Sequence, residues 1–321
     1  MEKTKRIWSY ILLFMMTICC SALISCSSDD DDDNNDVNTP AAFEDYAAKY
    51  QLTGTDSPYS SVEFTESGNY IITERYYDAN TRSPYISKPS IRKFTFANLL
   101  RKTATRSGDA YSPILYGTYT VDADGTYILS DYGKVKVTQD ASGNAYSLEF
   151  MPNGGSSYTY NASKQNRDLN SSNSSRLCRT WNINSYQYIM KVNGKTIIDI
   201  TANSNKELAK KAEEWAKEHD EEYDPSDWDD DDIIELEQII FTKTGTYMVK
   251  YEGDQLAVAA WKWRDYTETE LAYAWDNILE YPEGYASISY KNNQLVITEI
   301  VDKDEDGTYK EYLIMYLSES K

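Results

Sequence analysis

Short runs of alternating apolar and polar residues fill most of the chain after residue 60, and turn residues separate them. Alternation with a period of two is typical of strands that bury one face of a sheet, and Gly, Asn and Asp between such runs indicate hairpins. In the first half, this pattern predicts strands at 62–65, 69–77, 116–121, 126–129, 134–138 and 146–150.

The second half carries a more regular series of the same pattern. Short turns such as Asn193-Gly194 and Asp306-Gly307 separate its runs. The predicted strands are 180–192, 196–201, 233–242, 246–251, 256–264, 285–290, 295–301 and 308–317. Closure into a barrel removes exposed sheet edges, so this series favours a barrel. We therefore predict a mainly β protein with two antiparallel β domains, the second a barrel of about eight strands with an inserted helix.

The predicted insertion covers residues 203–232. Ser204 is a suitable N-cap, and the residues after it form an apolar stripe at helical spacing. This stripe consists of Leu208, Ala209, Ala212, Trp215 and Ala216. Residues 218–232 then contain ten acidic side chains in fifteen. Two interpretations stay open: Trp215 simply docks the helix, or the helix forms a lid over the barrel mouth.

A Ser/Asn-rich stretch over residues 161–176 contains few apolar residues and is predicted to be a linker. It separates an N-terminal β domain at 43–160 from the barrel domain at 177–321. Phe64–Ile72 and Phe241–Val249 both fit the pattern F-T-x-x-G-x-Y-x-apolar. Convergence could produce this match, but the shared Phe, Thr, Gly and Tyr favour duplication.

The N-terminus has the pattern of an export signal. A basic start at residues 1–6 precedes an almost wholly apolar run at 7–24, which predicts a secretory signal peptide. An uncleaved membrane anchor is the alternative, because the run is close to the lower length limit of a spanning helix. Five aspartates then occupy 29–33, and such a run of like charges predicts an acidic disordered tether over 26–42.

Leu23-Ile24-Ser25-Cys26 resembles the lipobox of bacterial lipoproteins. The resemblance implies that residues 1–25 are removed and that Cys26 carries lipid, palmitate among its acyl chains, which anchors the protein in a membrane. Cys26 with the serines and aspartates after it resembles the acidic export signal of surface lipoproteins in Bacteroidetes. That resemblance implies an outer-membrane protein displayed on the cell surface.

The second half resembles the lipocalin-like domains of Bacteroidetes lipoproteins over about residues 177–320. Leu177-Cys178-Arg179-Thr180-Trp181 is similar to the family pattern L-x-G-x-W, with Arg179 at the Gly position. Three further segments carry the resemblance, namely 241–249, 261–263 and 288–297. The resemblance implies a lipocalin-like barrel.

Composition excludes some partners. The formal charge is −20, and removing residues 1–25 with Glu2 and three basic residues lowers it to about −22. This charge repels phosphate backbones, so we predict no nucleic-acid partner. Cys178 is the only cysteine after Cys26, so no intrachain disulfide can form, and we expect Cys178 to be a small buried apolar residue.

Aromatic residues are the candidates for ligand binding. Trp261 and Trp263 share one face of a predicted strand, Trp181 is a candidate for the barrel floor, and Tyr247 lies in the repeated hairpin. A barrel of this size either holds one small ligand or fills itself with side chains. Core packing and contact with a small apolar or glycan ligand both stay open for these four residues.

The sequence gives no basis for a catalytic site, a cofactor or a metal. Asp302, Asp304 and Asp306 begin like a calcium loop, but Leu313 stands where an EF-hand has Glu, so we predict a hairpin turn. GxSxG, HExxH, P-loop and CxxC motifs are absent from the sequence.

Three functions are compatible with these features. The first is a non-enzymatic surface lipoprotein that binds a small apolar or glycan-derived ligand or a protein partner. The second is a structural or adhesive subunit of the fimbrillin type, which predicts an open groove in the fold. The third is a glycan hydrolase, which predicts two carboxylates in a cleft.

Overall fold

The computed structural model describes residues 42–75, 114–143, 145–166, 168–219, 235–275, 279–303 and 306–320. These residues are mainly β and form two closed antiparallel barrels of eight strands each, which confirms the predicted fold class. The predicted signal peptide, Cys26 and nearly all of the tether lie outside the described residues. Both barrels belong to one compact unit, Val37–Lys321.

The first barrel pairs each strand with the next along the chain, and its first and last strands pair to close it. Its core is rich in aromatic side chains, with the rings of Phe64 and Tyr127 stacked at 3.7 Å. The strands are β1 (Ala48–Leu52), β2 (Tyr59–Phe64), β3 (Asn69–Glu74), β4 (Ile114–Val121), β5 (Tyr127–Leu129), β6 (Gly133–Gln139), β7 (Tyr146–Pro152) and β8 (Tyr158–Lys164).

The second barrel follows a short helix, α1 (Ser172–Leu177), and contains a second helix, α2 (Asn205–His219). Its strands are β9 (Thr180–Val192), β10 (Lys195–Ala202), β11 (Leu236–Phe241), β12 (Thr246–Tyr251), β13 (Gln255–Trp263), β14 (Glu270–Ala274), β15 (Gly284–Lys291), β16 (Gln294–Lys303) and β17 (Tyr309–Glu319). Pairing of β9 with β17 closes a ring of β9 and β11–β17. One half of β9 pairs with β11 and the other half with β10, so β10 is an extra strand beside the ring.

The sequence pattern did not predict three of the strands. The predicted set omits β14, which is only five residues long and contains two alanines, so its strand signal is weak. It also omits β1 and β8, the pair that closes the first barrel. β8 extends to Lys164 and α1 begins at Ser172, so the connection between the barrels is shorter than the stretch predicted as a linker.

The two barrels have the same strand order once β10 and α2 are set aside as an insertion after β9. The repeated hairpin is β2–β3 in the first barrel and β11–β12 in the second. In each copy the Thr hydroxyl, of Thr65 or Thr242, accepts the N–H four residues on at 3.1 Å. The Gly of each copy has a positive φ, +78° and +81°, which explains why Gly recurs there. This correspondence supports duplication.

The repeated hairpins also join the barrels. Glu63 of the first barrel is buried, and its carboxylate accepts hydrogen bonds from the Thr244 hydroxyl and, at 2.6 Å, from the Thr246 hydroxyl of the second. Lys49 donates to Thr246 at 2.6 Å and lies 3.5 Å from Glu63. An apolar cluster of Ile71, Ile240 and Met248 is buried between the barrels.

Candidate functional site in the second barrel

The second barrel has two different ends. Its closed end is the one at which β11, β13 and β15 terminate, and its mouth is the end at which β12, β14 and β16 terminate. β9 therefore begins at the closed end, directly after α1. The short helix α1 packs at the first of these ends, and the N-terminus of α2 is bonded at the second.

Trp181, the floor candidate, packs at the closed end together with Trp261 and Trp263, and we refer to these three tryptophans as the floor. The indole N–H of Trp181 donates to the Leu177 carbonyl at 2.8 Å, and that of Trp261 donates to the Thr242 carbonyl at 3.2 Å. The indole N–H of Trp263 donates to the Ser174 hydroxyl of α1 at 2.8 Å. Each indole N–H therefore has a partner within the protein, and Trp181 and Trp261 are fully buried. Their contacts are those of packed floor residues.

Arginine side chains complete the closed end. Arg179, at the position where the family pattern has Gly, is buried and donates to the Glu319 carboxylate at 2.6 Å. This ion pair joins the start of β9 to the end of β17, the two strands that close the barrel. The Arg176 guanidinium lies 3.6 Å from the ring centre of Tyr290. Cys178 is buried beside them, in agreement with the sequence expectation.

Above this floor lies a buried carboxyl group, that of Glu299. Glu299 continues the inward-facing series of β16 after Leu295 and Ile297, and it pairs in register with Ala286 and Leu313. Burial raises the pKa of Glu299 from its ordinary value of 4.5 to about 7, because the charged form is poorly solvated there. The Tyr273 hydroxyl donates a hydrogen bond to the carboxylate, which acts in the opposite direction.

Three aromatic rings pack against one another near Glu299. The ring centres of Tyr247, Tyr273 and Trp275 form a triangle with sides of 5.6, 5.6 and 6.0 Å. The ring planes are inclined to one another at 43° to 75°, so the rings pack in tilted and edge-on contacts and do not form a stack. Burial, with a contribution from Glu299, raises the pKa of both tyrosines well above the ordinary value, so both remain neutral phenols.

Gly284 makes room for the Tyr273 ring. The two residues are paired across β14 and β15. A Cβ atom at residue 284 would lie 2.1 Å from the ring carbon that bears the hydroxyl and 2.2 Å from the hydroxyl oxygen. Any larger side chain would therefore displace the phenol that contacts Glu299.

The exposed fraction of the residues around Glu299 differs slightly from that of the floor. Trp181, Leu295 and Leu317 are 0% exposed, whereas Glu299 and Tyr247 keep 8% and 7% of their surface accessible. The carboxyl group and the aromatic triangle are therefore slightly less buried than the floor.

The inserted helix is fixed at the mouth by its N-terminus. Ser204 accepts the N–H of Glu207 at 3.0 Å, which confirms the predicted N-cap. Glu235, just before β11, accepts the N–H groups of Asn205 at 2.8 Å and Lys206 at 3.0 Å, an arrangement that the helix dipole favours. Residues Leu208, Ala209 and Ala212 join the barrel core. Trp215, which is partly buried, packs against this core and stacks on His219 at 4.5 Å.

The first barrel has a different interior. The hydroxyls of Tyr59, Tyr132 and Tyr158 bond to one another at 2.6, 3.1 and 3.2 Å. Each of the three hydroxyls can therefore donate a hydrogen bond to one of the other two. The Phe150 ring stacks on the Tyr158 ring. This group consists of neutral hydroxyls that bond to one another, whereas the polar group inside the second barrel is a carboxyl bonded to Tyr273.

No three His, Cys, Asp or Glu side chains converge into a metal site within the described ranges. None of the helices in the described part of the chain is long and apolar enough to cross a membrane. The predicted turn between β16 and β17 includes residues 304–305, which lie outside the described residues, and Asp306 accepts from the Thr308 hydroxyl at 3.1 Å.

The fold and the site together define a protein of two eight-stranded β-barrels, the second of which holds a buried carboxyl group among aromatic rings. No protein-family model and no curated protein matches the sequence. The chain is similar to a solved protein of unknown function from the DUF3598 family of Nostoc punctiforme, with 7% identity and a TM-score of 0.19 over 85% of this chain and 94% of that one.

A second similar structure is PF-8, the DNA polymerase accessory subunit from Kaposi's sarcoma-associated herpesvirus. Its identity to this chain is 7% and its TM-score is 0.15, over 85% of this chain and 90% of that one. Likenesses with TM-scores this low carry no argument about function.

Sequence reasoning missed the central residues of this site. Tyr273 and Trp275 belong to the region of β14, whose strand signal is weak. Glu299 did leave a signal, because it occupies the apolar phase of a predicted strand, two residues after Ile297. A charged residue at an inward position of a strand is a better indicator of a site than the tryptophans, which pack well in any core.

Proposed function

We propose that the second barrel binds a small organic ligand between its tryptophan floor and its mouth, and that the protein acts by binding and not by catalysis. The observation that carries this proposal is the Glu299 carboxyl, bonded to Tyr273 inside an otherwise aromatic and apolar barrel. Ligand sites typically combine apolar walls with a few polar groups that fix orientation.

The cost of burying Glu299 supports a functional role. An isolated carboxylate in an apolar interior is strongly disfavoured, and the raised pKa of Glu299 reflects that cost. Apolar side chains would fill the same position more favourably, as they do at Leu295 and Ile297 on the same strand. Groups with a strongly perturbed pKa are therefore candidates for contact with a ligand.

We further propose that the barrels are tethered to the outer face of the outer membrane through lipid on Cys26. The lipobox resemblance and the acidic run after Cys26 support this location. An acidic tether of this kind would hold the barrels away from an anionic surface. On this proposal the protein is a surface lipoprotein that captures a small ligand outside the cell.

The two alternative functions receive less support. A fimbrillin-type subunit calls for an open groove, but β1 pairs with both β2 and β8, so the first strand has no free edge to offer to another subunit. A glycan hydrolase calls for paired carboxylates. The causes of the raised pKa of Glu299 are burial and the Tyr273 hydroxyl, with no second carboxyl among them in the described part of the chain.

Tryptophan fluorescence offers a direct test. All tryptophans after the signal peptide lie between residues 181 and 275, so their emission reports on the second barrel and its insertion. The mature chain, 26–321 with Cys26→Ser to prevent lipidation, is screened against fatty acids, bile acids, haem, oligosaccharides and amines. We expect one class to change the emission and to stabilise the barrel, by about 2.7 kcal/mol at a hundred times its dissociation constant.

Two variants locate the binding. Tyr273→Phe removes the hydroxyl next to Glu299 and is expected to weaken binding, whereas Tyr132→Phe makes the same change in the first barrel and is expected to leave it unchanged. The proposal is wrong if no ligand class changes either the emission or the stability of the chain.

A further inference from the structure

We infer that the two barrels associate as the subunits of a twofold dimer do, with the same face of each barrel turned toward the other. We further assign to Glu66 and Lys243, which meet at the axis of this contact, the role of restricting pairing to one first barrel with one second barrel.

The repeated hairpin shows which residues of the two barrels are equivalent. Residues of β2–β3 correspond in order to residues of β11–β12, with Phe64 matched to Phe241. Lys49 of β1 pairs with the residue before Phe64, and Thr180 of β9 pairs with the residue before Phe241. Lys49 and Thr180 therefore occupy equivalent positions.

Polar contacts between the barrels occur in twofold-related pairs. In a twofold contact, residue i of one unit meets residue j of the other, and j of the first unit meets i of the second. The Thr180 hydroxyl donates to the side-chain carbonyl of Asn69 at 2.8 Å. At the equivalent positions, the Lys49 ammonium donates to the Thr246 hydroxyl at 2.6 Å. The same two positions are therefore bonded in both directions, although the residue types differ.

Positions on a twofold axis meet their own equivalents, and two such pairs occur between the barrels. Glu66 and Lys243 are equivalent, and the Glu66 carboxylate accepts the backbone N–H of Lys243 at 3.2 Å. Ile71 and Met248 are equivalent, and both belong to the apolar cluster buried between the barrels. The partly buried residues packed against this cluster include two further equivalent pairs, Ile114 with Leu256 and Tyr116 with Val258.

The segment that precedes each barrel follows the same correspondence. The Phe43 N–H donates to the Glu66 carbonyl at 3.1 Å, and the Leu169 N–H donates to the Lys243 carbonyl at 3.4 Å. The next residue is Glu44 before the first barrel and Asn170 before the second. The equivalence therefore extends to the residues that lie beside the axis.

Opposite charges at the axis determine which barrels can pair. Lys243 is buried, and its ammonium donates to the Glu44 carboxylate of the first barrel at 2.6 Å. Two first barrels paired through this face would bring two Glu66 side chains together, and two second barrels would bring two Lys243 side chains together. Buried like charges repel and lack a compensating partner, so both of these pairings are disfavoured.

The test separates the covalent connection from the contact between the barrels. A recognition site for a specific protease is inserted after Asn166, an exposed residue between β8 and α1, in the mature chain with Cys26→Ser. Association of the two halves after cleavage is measured by size-exclusion chromatography with light scattering over a dilution series, with the uncut chain as the control. We expect the halves to remain one particle at about 1 µM, because the contact has a buried apolar centre and several hydrogen bonds.

Matched charge changes test the role of the axis pair. Lys243→Glu is expected to weaken association at least about tenfold, whereas Lys262→Glu, the same change at an exposed position of the same barrel, is expected to leave it unchanged. Adding Glu66→Lys to Lys243→Glu brings opposite charges together again and is expected to recover part of the lost affinity. Adding Glu149→Lys, on a strand of the first barrel where residue 149 pairs with Lys136, is expected to recover none.

Separation of the cut chain into two folded halves at about 1 µM overturns the inference, because the connection alone would then hold the barrels together. Equal effects of Lys243→Glu and Lys262→Glu, or equal recovery with Glu66→Lys and Glu149→Lys, overturn the role of the axis pair. If the halves unfold after cleavage, urea unfolding of the uncut variants decides: Glu66→Lys must raise the stability of Lys243→Glu, and no gain overturns the inference.

Discussion

Replacement of Glu299 by Gln should remove a defined part of the pH dependence of stability of the second barrel. In the folded protein, burial raises the pKa of this carboxyl from 4.5 to about 7, whereas in the unfolded chain it returns to its ordinary value. At pH values between 4.5 and about 7, Glu299 keeps its proton in the folded state and has lost it in the unfolded state. The free energy of unfolding therefore falls as pH rises through this window.

The magnitude follows from the difference between the two pKa values. At about 1.4 kcal/mol per pH unit, the interval from 4.5 to about 7 corresponds to a loss of about 3 kcal/mol. The stabilisation from the neutral carboxyl is complete below about pH 4.5 and lost above about pH 7. Gln is neutral throughout and can accept the Tyr273 hydrogen bond, so Glu299→Gln should not show this component.

Urea unfolding followed by tryptophan emission measures the effect, because every tryptophan of the mature chain belongs to the second barrel or its insertion. The measured quantity is the free energy of unfolding of Glu299→Gln minus that of the parent chain. We expect this difference to be about 3 kcal/mol larger at about pH 8 than at about pH 4.5. The exposed Glu280→Gln serves as the control and should follow the parent chain. A difference between parent and Glu299→Gln that does not vary with pH would refute the reasoning.

Two further predictions concern the packing around the site. Gly284→Ala would place a Cβ about 2 Å from the Tyr273 phenol, and we expect a loss of about 1–3 kcal/mol in urea unfolding together with weaker ligand binding; unchanged stability would contradict the close packing of Tyr273. Trp181→Ala would empty part of the sealed floor and should cost about 3–5 kcal/mol in the same assay, whereas a loss below about 1 kcal/mol would show that the floor is not tightly packed.

Local sequence signals predicted much of the fold. Alternating residues with Gly and Asn turns placed most strands, and the repeated F-T-x-x-G-x-Y pattern marked the same hairpin in both barrels. Ser204 and the apolar stripe predicted α2. These features depend on side chains a few residues apart, so a single sequence contains them.

Local sequence signals of this kind did not predict the candidate site. Trp181, Trp261 and Trp263 attracted attention as large aromatic residues, yet their indole N–H groups are bonded within the floor. Their ligand-binding role stays a prediction, and Tyr247 is the one of the four that lies in the aromatic triangle. Glu299 and Tyr273 acquire their roles only because β14 and β16 bring them together inside the barrel.

By itself, the sequence determined the β class of the protein, its two-part organisation, the repeated hairpin and the helix inserted into the second part. The tertiary structure decided which strands close each barrel, since β1 pairs with β8 and β9 with β17 across more than a hundred residues. It also decided that the Glu299 carboxyl is buried near the rings of Tyr247 and Tyr273. Burial and pKa are set by neighbours from distant strands, and no local pattern encodes those neighbours.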